Sequence, residues 1–248
     1  MKNGLNKFQI ERFSRQLVLK NIGAKGQKKI LSSKILIVGV GGLGCPAAES
    51  LVRAGIGTIG LIDNDLVNLS NIHRQSLYNS KDIKKSKVSV AAKKLKEINP
   101  LTKIKTYKSR LNKNNIEEII ENYELIIDGS DNFKTKFLIN DYCIKFKKKL
   151  VTGAISKFDG HVFTFDFKDK SIASLKNFYQ KKEMSDDILN CEFDGVLGTT
   201  AFIVGATQAN EALKMIMGIG QTLKNQILII DLLNLNFRKV KFKKNNIK

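Results

Sequence analysis

A chain of 248 residues, 42% apolar and 27% charged, is long enough to bury one substantial core and has the balance of a water-soluble globular protein. No apolar run approaches the roughly 20 residues of a membrane span, and the polar stretch 1–10 lacks a signal-peptide core, which argues against a membrane protein and predicts a cytoplasmic one. The formal charge of +20 rests almost wholly on scattered Lys, with only six Arg, so it predicts a solvated surface suited to an acidic protein partner rather than a nucleic-acid site.

Taken in chain order, residues 6–20 carry Ile10, Phe13, Leu17 and Val18 near helical spacing and predict one amphipathic helix, closed by Gly23 and Gly26. The short branched run 34–40 predicts a buried parallel strand, followed by a glycine-rich turn and a helix over 45–54. A strand over 58–62, a helix over 86–98 stopped by Asn99-Pro100, and a strand over 103–107 come next. A helix over 116–121, a strand over 124–127 running into Asp128, a helix over 134–146 and a strand over 150–153 continue the alternation. Then the pattern changes. Residues 161–167 set Val162, Thr164 and Asp166 against Phe163, Phe165 and Phe167, the alternation of an antiparallel strand. Residues 168–195 are weakly patterned and read as a long mobile loop. A strongly apolar helix over 202–217 and two strands over 226–230 and 237–242, a β-pair, end the chain.

Alternating strands and helices predict an α/β fold: a Rossmann-like, mostly parallel sheet with helices on both faces, extended by antiparallel strands toward the C-terminus. No repeat or linker divides it. The expectation is one domain over 1–248, with an N-terminal helical segment (1–30), a nucleotide-binding core (34–167), the loop (168–195) and a C-terminal helix with strands (196–242).

The chemistry-bearing residues gather at predicted strand ends. Gly39-Val40-Gly41-Gly42-Leu43-Gly44 joins a strand to a helix, where backbone N–H groups and the helix N-terminus can meet phosphate oxygens. Asp63 ends the second strand, the position from which a carboxylate accepts from ribose hydroxyls. A nicotinamide dehydrogenase would share those features. It would not need Asp65, Asn68, Asn71 and Arg74, the helix-opening Lys87, or Asp131 and Asn132 after the fourth strand. A triphosphate would: Arg and Lys clamp phosphates and a carboxylate holds Mg²⁺. Taken singly, each has a plainer reading; Asp131, for instance, could N-cap the following helix.

The segments RFSRQ (12–16), GVGGLGC (39–45), DNDLVNLSNIHRQ (63–75), SKV (86–88), DGSDN (128–132) and NCEFDGVLG (190–198) together resemble the ThiF/MoeB/HesA family, the bacterial relatives of ubiquitin-activating enzymes. The resemblance runs from about Arg12 to Phe242. It implies an ATP- and Mg²⁺-dependent adenylyltransferase acting on the C-terminal glycine carboxylate of a small ubiquitin-like sulfur carrier ending in Gly-Gly, in molybdopterin or thiamine synthesis. It implies that Gly41 lies against the nucleotide, Asp63 binds ribose, Asn71, Arg74 and Lys87 contact phosphates, and Asp131 coordinates Mg²⁺. Arg15 resembles an arginine supplied to the partner's ATP across a homodimer. Two alternatives stand beside this: adenylation of a carboxylate on modified tRNA, and a non-catalytic nucleotide-binding scaffold.

Two departures from the family pattern matter. Many members carry two CxxC pairs that hold zinc; the first would fall near 172–176 and the second beyond Phe242, and neither pair is present, so no zinc is expected. Cys191 aligns with a cysteine that some relatives join covalently to the carrier, but Glu192 and Asp194 beside it would disfavour a thiolate. Its covalent role stays open. Cys45 and Cys143 read as packed thiols, and His73 and His161 receive no role.

Overall fold

The structure, a computed structural model, describes residues 4–179 and 195–244. The branched apolar runs form strands β1 (Lys34–Val38), β2 (Thr58–Ile62), β3 (Lys103–Tyr107), β4 (Leu125–Asp128) and β5 (Lys149–Ser156), all parallel to their neighbours in the order β3-β2-β1-β4-β5. The sheet continues antiparallel through β6 (Asp159–Asp166), β7 (Gln226–Asp231) and β8 (Asn236–Lys241). The parallel-then-antiparallel expectation matches this sheet, including the closing β-pair.

Alternation along β1 builds two cores. Ile35 and Ile37 join the side formed with helices α3 (Gly23–Ser32), α4 (Gly44–Ala54), α5 (Lys87–Ile98) and α9 (Gly198–Met217). Leu36 and Val38 join the side formed with α6 (Ile116–Glu121), α7 (Phe133–Lys145) and α8 (Leu175–Phe178). Each such buried side chain contributes about 1.5–3 kcal/mol, so a one-residue slip of β1, which would exchange the two sets, is strongly disfavoured. Because β2 and β4 flank β1 on opposite sides, the chain leaves β1 and β4 in diverging directions and opens a crevice between their carboxyl ends.

The N-terminal region departs from its periodicity. Two short helices, α1 (Lys7–Arg12) and α2 (Ser14–Leu17), replace the single helix expected over 6–20, with a break at Phe13 (φ −104°, ψ 15°). Phe13 is drawn into the core against Gly55, and its ring fills the space a side chain on Gly55 would need. Ile10 and Val18, expected on the buried face, are exposed. Gly23 opens α3 instead of closing a helix. Smaller differences lie at element ends: β5 is longer than expected, β6 begins at Asp159, and α9 begins at Gly198.

Residues 168–179 are more ordered than a weakly patterned loop. Ser174 and Asn177 form a reciprocal capping box around α8. Ile172, Ala173 and Leu175 are buried. Phe178 packs edge-on to Phe163, Tyr179 and Phe242 at ring separations of 5.0, 4.9 and 5.6 Å. Ala173 N–H donates to Asn225 Oδ1 at 2.8 Å, Leu175 N–H donates to Asn140 Oδ1 at 3.1 Å, and Lys244 reaches the Lys170 carbonyl at 2.6 Å. An apolar and aromatic clasp thus stands where the first zinc-binding pair of the family would fall, and its side chains do not fit a zinc ion. Among the described residues no helix is long and apolar enough to cross a membrane.

Candidate functional site

The glycine turn occupies the β1 side of the crevice. Gly39 has φ +83°, the left-handed region, and a Cβ there would lie 2.9 Å from the Gly129 carbonyl after β4. Gly44 opens α4 so close to the strand that a Cβ would stand 2.0 Å from Gly39 O. The peptide between them is held from three sides. Val40 N–H donates to Asp63 Oδ2 at 2.8 Å. The Tyr78 hydroxyl donates to Val40 O at 2.8 Å, and the Cys45 thiol reaches the same oxygen at 3.4 Å. Burial pushes the Cys45 thiol up to about 12 and also raises the Cys143 thiol, so both are packed thiols and neither is a nucleophile.

Asp63 turns one oxygen to the glycine turn and the other to the Asp65 N–H at 2.8 Å. Burial raises its carboxyl above the usual range, against the opposing pull of Lys87 and the two backbone donors. Lys87, almost wholly buried at the start of α5, pairs with the exposed Asp65 carboxylate at 2.9 Å. The segment after β2 then folds over the turn. Asn68 caps a 3₁₀ turn (Leu69–Asn71) by accepting from Ser70 N–H at 3.2 Å, and the Asn71 carbonyl accepts from Arg74 and Gln75 N–H. Arg74 donates to the Ser70 carbonyl at 2.9 Å, and its Cδ lies 3.7 Å from where a Cβ on Gly42 would be. The N-terminus of α9 closes this side, with Gly198 seated on the His73 carbonyl.

Across the crevice, Gly129 lies against both Gly39 and Gly44. Asp131 is exposed and accepts from Asn132 Nδ2 at 3.1 Å. Asn132, not Asp131, is the N-cap of α7, accepting from Thr135 N–H at 2.9 Å. That frees the Asp131 carboxylate for another partner. Among the described residues no three His, Cys, Asp or Glu gather to hold a metal alone. Mg²⁺ does not require this, because it is usually held by one or two carboxylates together with substrate phosphates. An exposed carboxylate beside a glycine turn fits that mode.

Arg74, Lys87, Asp63, Asp65 and the Asp131 loop therefore lie around the glycine turn, while Asn68 and Asn71 shape the 3₁₀ turn that leads to Arg74. Arg15 does not join them. Its helix and the preceding one are tied to the opposite edge of the sheet: Gln16 of α2 reaches the Ala54 carbonyl and Arg12 of α1 reaches the Ile98 carbonyl, the far ends of α4 and α5. The 11 residues of α4 put that end about 16 Å from the glycine turn. Cys191 lies outside the described residues. Gln75 is a residue that motif reading passed over. It is buried, its Oε1 has no hydrogen-bond partner, and its Nε2 lies 3.5 Å from where a Cβ on Gly41 would be. The only cue in the sequence is its place directly after Arg74.

A family model described as the ThiF family matches residues 13–248. The chain belongs to the ThiF family. Among its relatives, this ThiF-family chain is 37% identical over 242 residues to a sulfur carrier protein adenylyltransferase of Thermus thermophilus, covering 96% of this chain and 89% of that one. It is 39% identical over 246 residues to a protein of Gracilaria tenuistipitata var. liui named "probable molybdopterin-synthase adenylyltransferase", covering 99% of this chain and 68% of that one. It is 40% identical to the adenylyltransferase and sulfurtransferase MOCS3 of Drosophila virilis, spanning 53% of that longer protein. The crystal structure of E. coli MccB with ATP superposes with a TM-score of 0.83 at 19% identity, over 99% of this chain and 74% of MccB. That likeness speaks for the fold.

Proposed function

We propose that this ThiF-family chain is a Mg²⁺- and ATP-dependent adenylyltransferase that activates the C-terminal glycine carboxylate of a small ubiquitin-like sulfur carrier, for molybdopterin or thiamine synthesis. The observation that carries the reading is the gathering of Arg74, Lys87, Asp63 and the Asp131 loop around the glycine turn. The names of the relatives from Thermus and Gracilaria support the same reaction.

In that reaction a carboxylate oxygen of the carrier attacks the α-phosphorus of ATP, the bond to the β-phosphate oxygen breaks, and pyrophosphate leaves. Negative charge builds on the phosphate oxygens, and the groups that lower the barrier are fixed cations and backbone N–H donors. Arg74 and Lys87 supply the cations. Asp63 accepts from ribose, with its second role in holding Val40 N–H keeping the glycine turn in shape. Asp131 is the residue that would hold Mg²⁺, whose chemistry is to neutralise phosphate charge and favour the departure of pyrophosphate.

A homodimer completes the reading. Arg15 cannot reach the crevice of its own chain, and Phe8, Ile10, Val18 and Leu19 beside it are exposed apolar side chains. Such a patch suits a protein interface, and a second copy could bring Arg15 to its neighbour's phosphates. The free, buried thiols Cys45 and Cys143 suit the cytoplasm.

Mass spectrometry of a Gly-Gly carrier incubated with the enzyme and Mg·ATP tests the chemistry. The expected product is a carrier bearing one AMP at its C-terminal glycine, absent when that terminus is amidated. A carrier that gains phosphate instead, or stays unmodified while ATP is consumed, would sink the assignment.

A further inference from the structure

Asp128 ends β4 at the mouth of the crevice, yet it faces inward and is almost wholly buried. Its carboxylate takes four hydrogen bonds. Oδ1 accepts from the Ser130 N–H at 2.9 Å and the Ser130 hydroxyl at 2.5 Å. Oδ2 accepts from Lys136 Nζ at 3.1 Å and the Thr152 hydroxyl at 2.5 Å. Lys136, also buried, donates in addition to the Gly153 carbonyl at 2.6 Å, and Gln208 from α9 donates to the Asp128 carbonyl at 2.8 Å. One buried ion pair therefore draws β4, β5, α7 and α9 to a single point.

Stability alone is a poor account of such a pair. Taking an ammonium and a carboxylate out of water is costly for each ion, and apolar replacements of similar volume are often neutral or better. What the pair does is local. Asp128 pins the start of the loop, and the Asn132 cap pins its end at α7. Between them Gly129 N–H donates to the Val38 carbonyl at 2.9 Å, and a Cβ on Gly129 would lie 3.1 Å from both Gly39 O and Gly44 N. The only exposed carboxylate in this loop is that of Asp131.

We propose that Lys136 is a positioning residue: its pairing with Asp128 fixes the loop 129–132 against the glycine turn and so sets where the Asp131 carboxylate stands. This rests on the reading of Asp131 as the residue that meets Mg·ATP. Groups that orient a metal-binding carboxylate commonly change metal affinity by 10–100-fold when lost, because a displacement of an ångström is enough to spoil the geometry.

The test uses the full-length protein and a fluorescent ATP analogue without carrier, titrated with and without Mg²⁺. In Lys136→Met the metal-free affinity for the analogue is expected to stay near that of the wild type. The Mg²⁺ concentration at half-effect should rise about tenfold or more, with Lys136→Arg restoring most of it. A lower Tm with an unchanged Mg²⁺ midpoint would mean the pair is only structural and would overturn the proposal. Should Lys136→Met not fold, Thr152→Val keeps the ion pair but removes one Asp128 hydrogen bond. It is expected to shift the midpoint in the same direction, and an unshifted midpoint counts against the proposal equally. A wild-type protein whose nucleotide binding ignores Mg²⁺ would remove the reading of Asp131, and this proposal with it. A Mg²⁺-dependent wild type with an indifferent Lys136→Met would remove this proposal alone.

Discussion

Arg74→Ala is expected to lower ATP–pyrophosphate exchange by at least about a hundredfold, the loss of roughly 3 kcal/mol of transition-state stabilisation typical of one preorganised charge partner. The side chain lies over Gly42, and its guanidinium is steadied by the Ser70 carbonyl. It pairs with no carboxylate among the described residues, so its charge is available to a phosphate. It belongs to neither hydrophobic core, so its removal should leave the folded state nearly as stable as before. Arg74→Lys should recover only part of the rate, since an ammonium lacks the planar fork that grips two phosphate oxygens. Exchange rates for both variants, set beside their unfolding midpoints, check this. Full exchange in Arg74→Ala would take the residue out of the mechanism.

Leu175→Ala is expected to cost about 2–5 kcal/mol of folding stability, a large share of the roughly 5–15 kcal/mol that holds a typical domain together. Leu175 is 1% exposed, in a four-residue helix too short to stand without its burial. Its neighbours Ile172 and Ala173 are buried with it, and Phe178 carries the contact on to Phe163 and Phe242. This clasp joins the chain after β6 to the end of β8. Urea unfolding should show the loss directly, while a chelator added to the nucleotide-free wild type should leave its midpoint unmoved. A midpoint that falls on chelation, or a Leu175→Ala variant as stable as the parent, would contradict the clasp.

What could be read from the sequence follows from where its signals are local. The eight strands were readable because short branched runs such as 34–38 and 125–128 have few alternatives, and because glycines and carboxylates mark their ends. The crevice followed from this, since a parallel sheet gathers its strand ends at one edge. The break at Phe13 was not readable. The helical period continues through it, and only the space left by Gly55 pulls that ring inward. Helix α8 was hidden for a related reason: four residues carry no period, and the rings that pack on its Phe178 come from positions 163, 179 and 242. Lys136 looks like any other lysine in a lysine-rich chain, and only the approach of β5 to β4 makes it a buried partner of Asp128. Gln75 likewise becomes notable only when its unpartnered oxygen is seen beside the glycine turn.

The most direct measurement is isotope exchange between labelled pyrophosphate and ATP, run with the wild-type protein, Mg²⁺ and a sulfur carrier ending in Gly-Gly. Label should enter ATP only when the carrier is present with a free terminal carboxylate, because the reversible step forms at that carboxylate. An enzyme that binds ATP tightly yet returns no label to it at any carrier concentration would contradict the account.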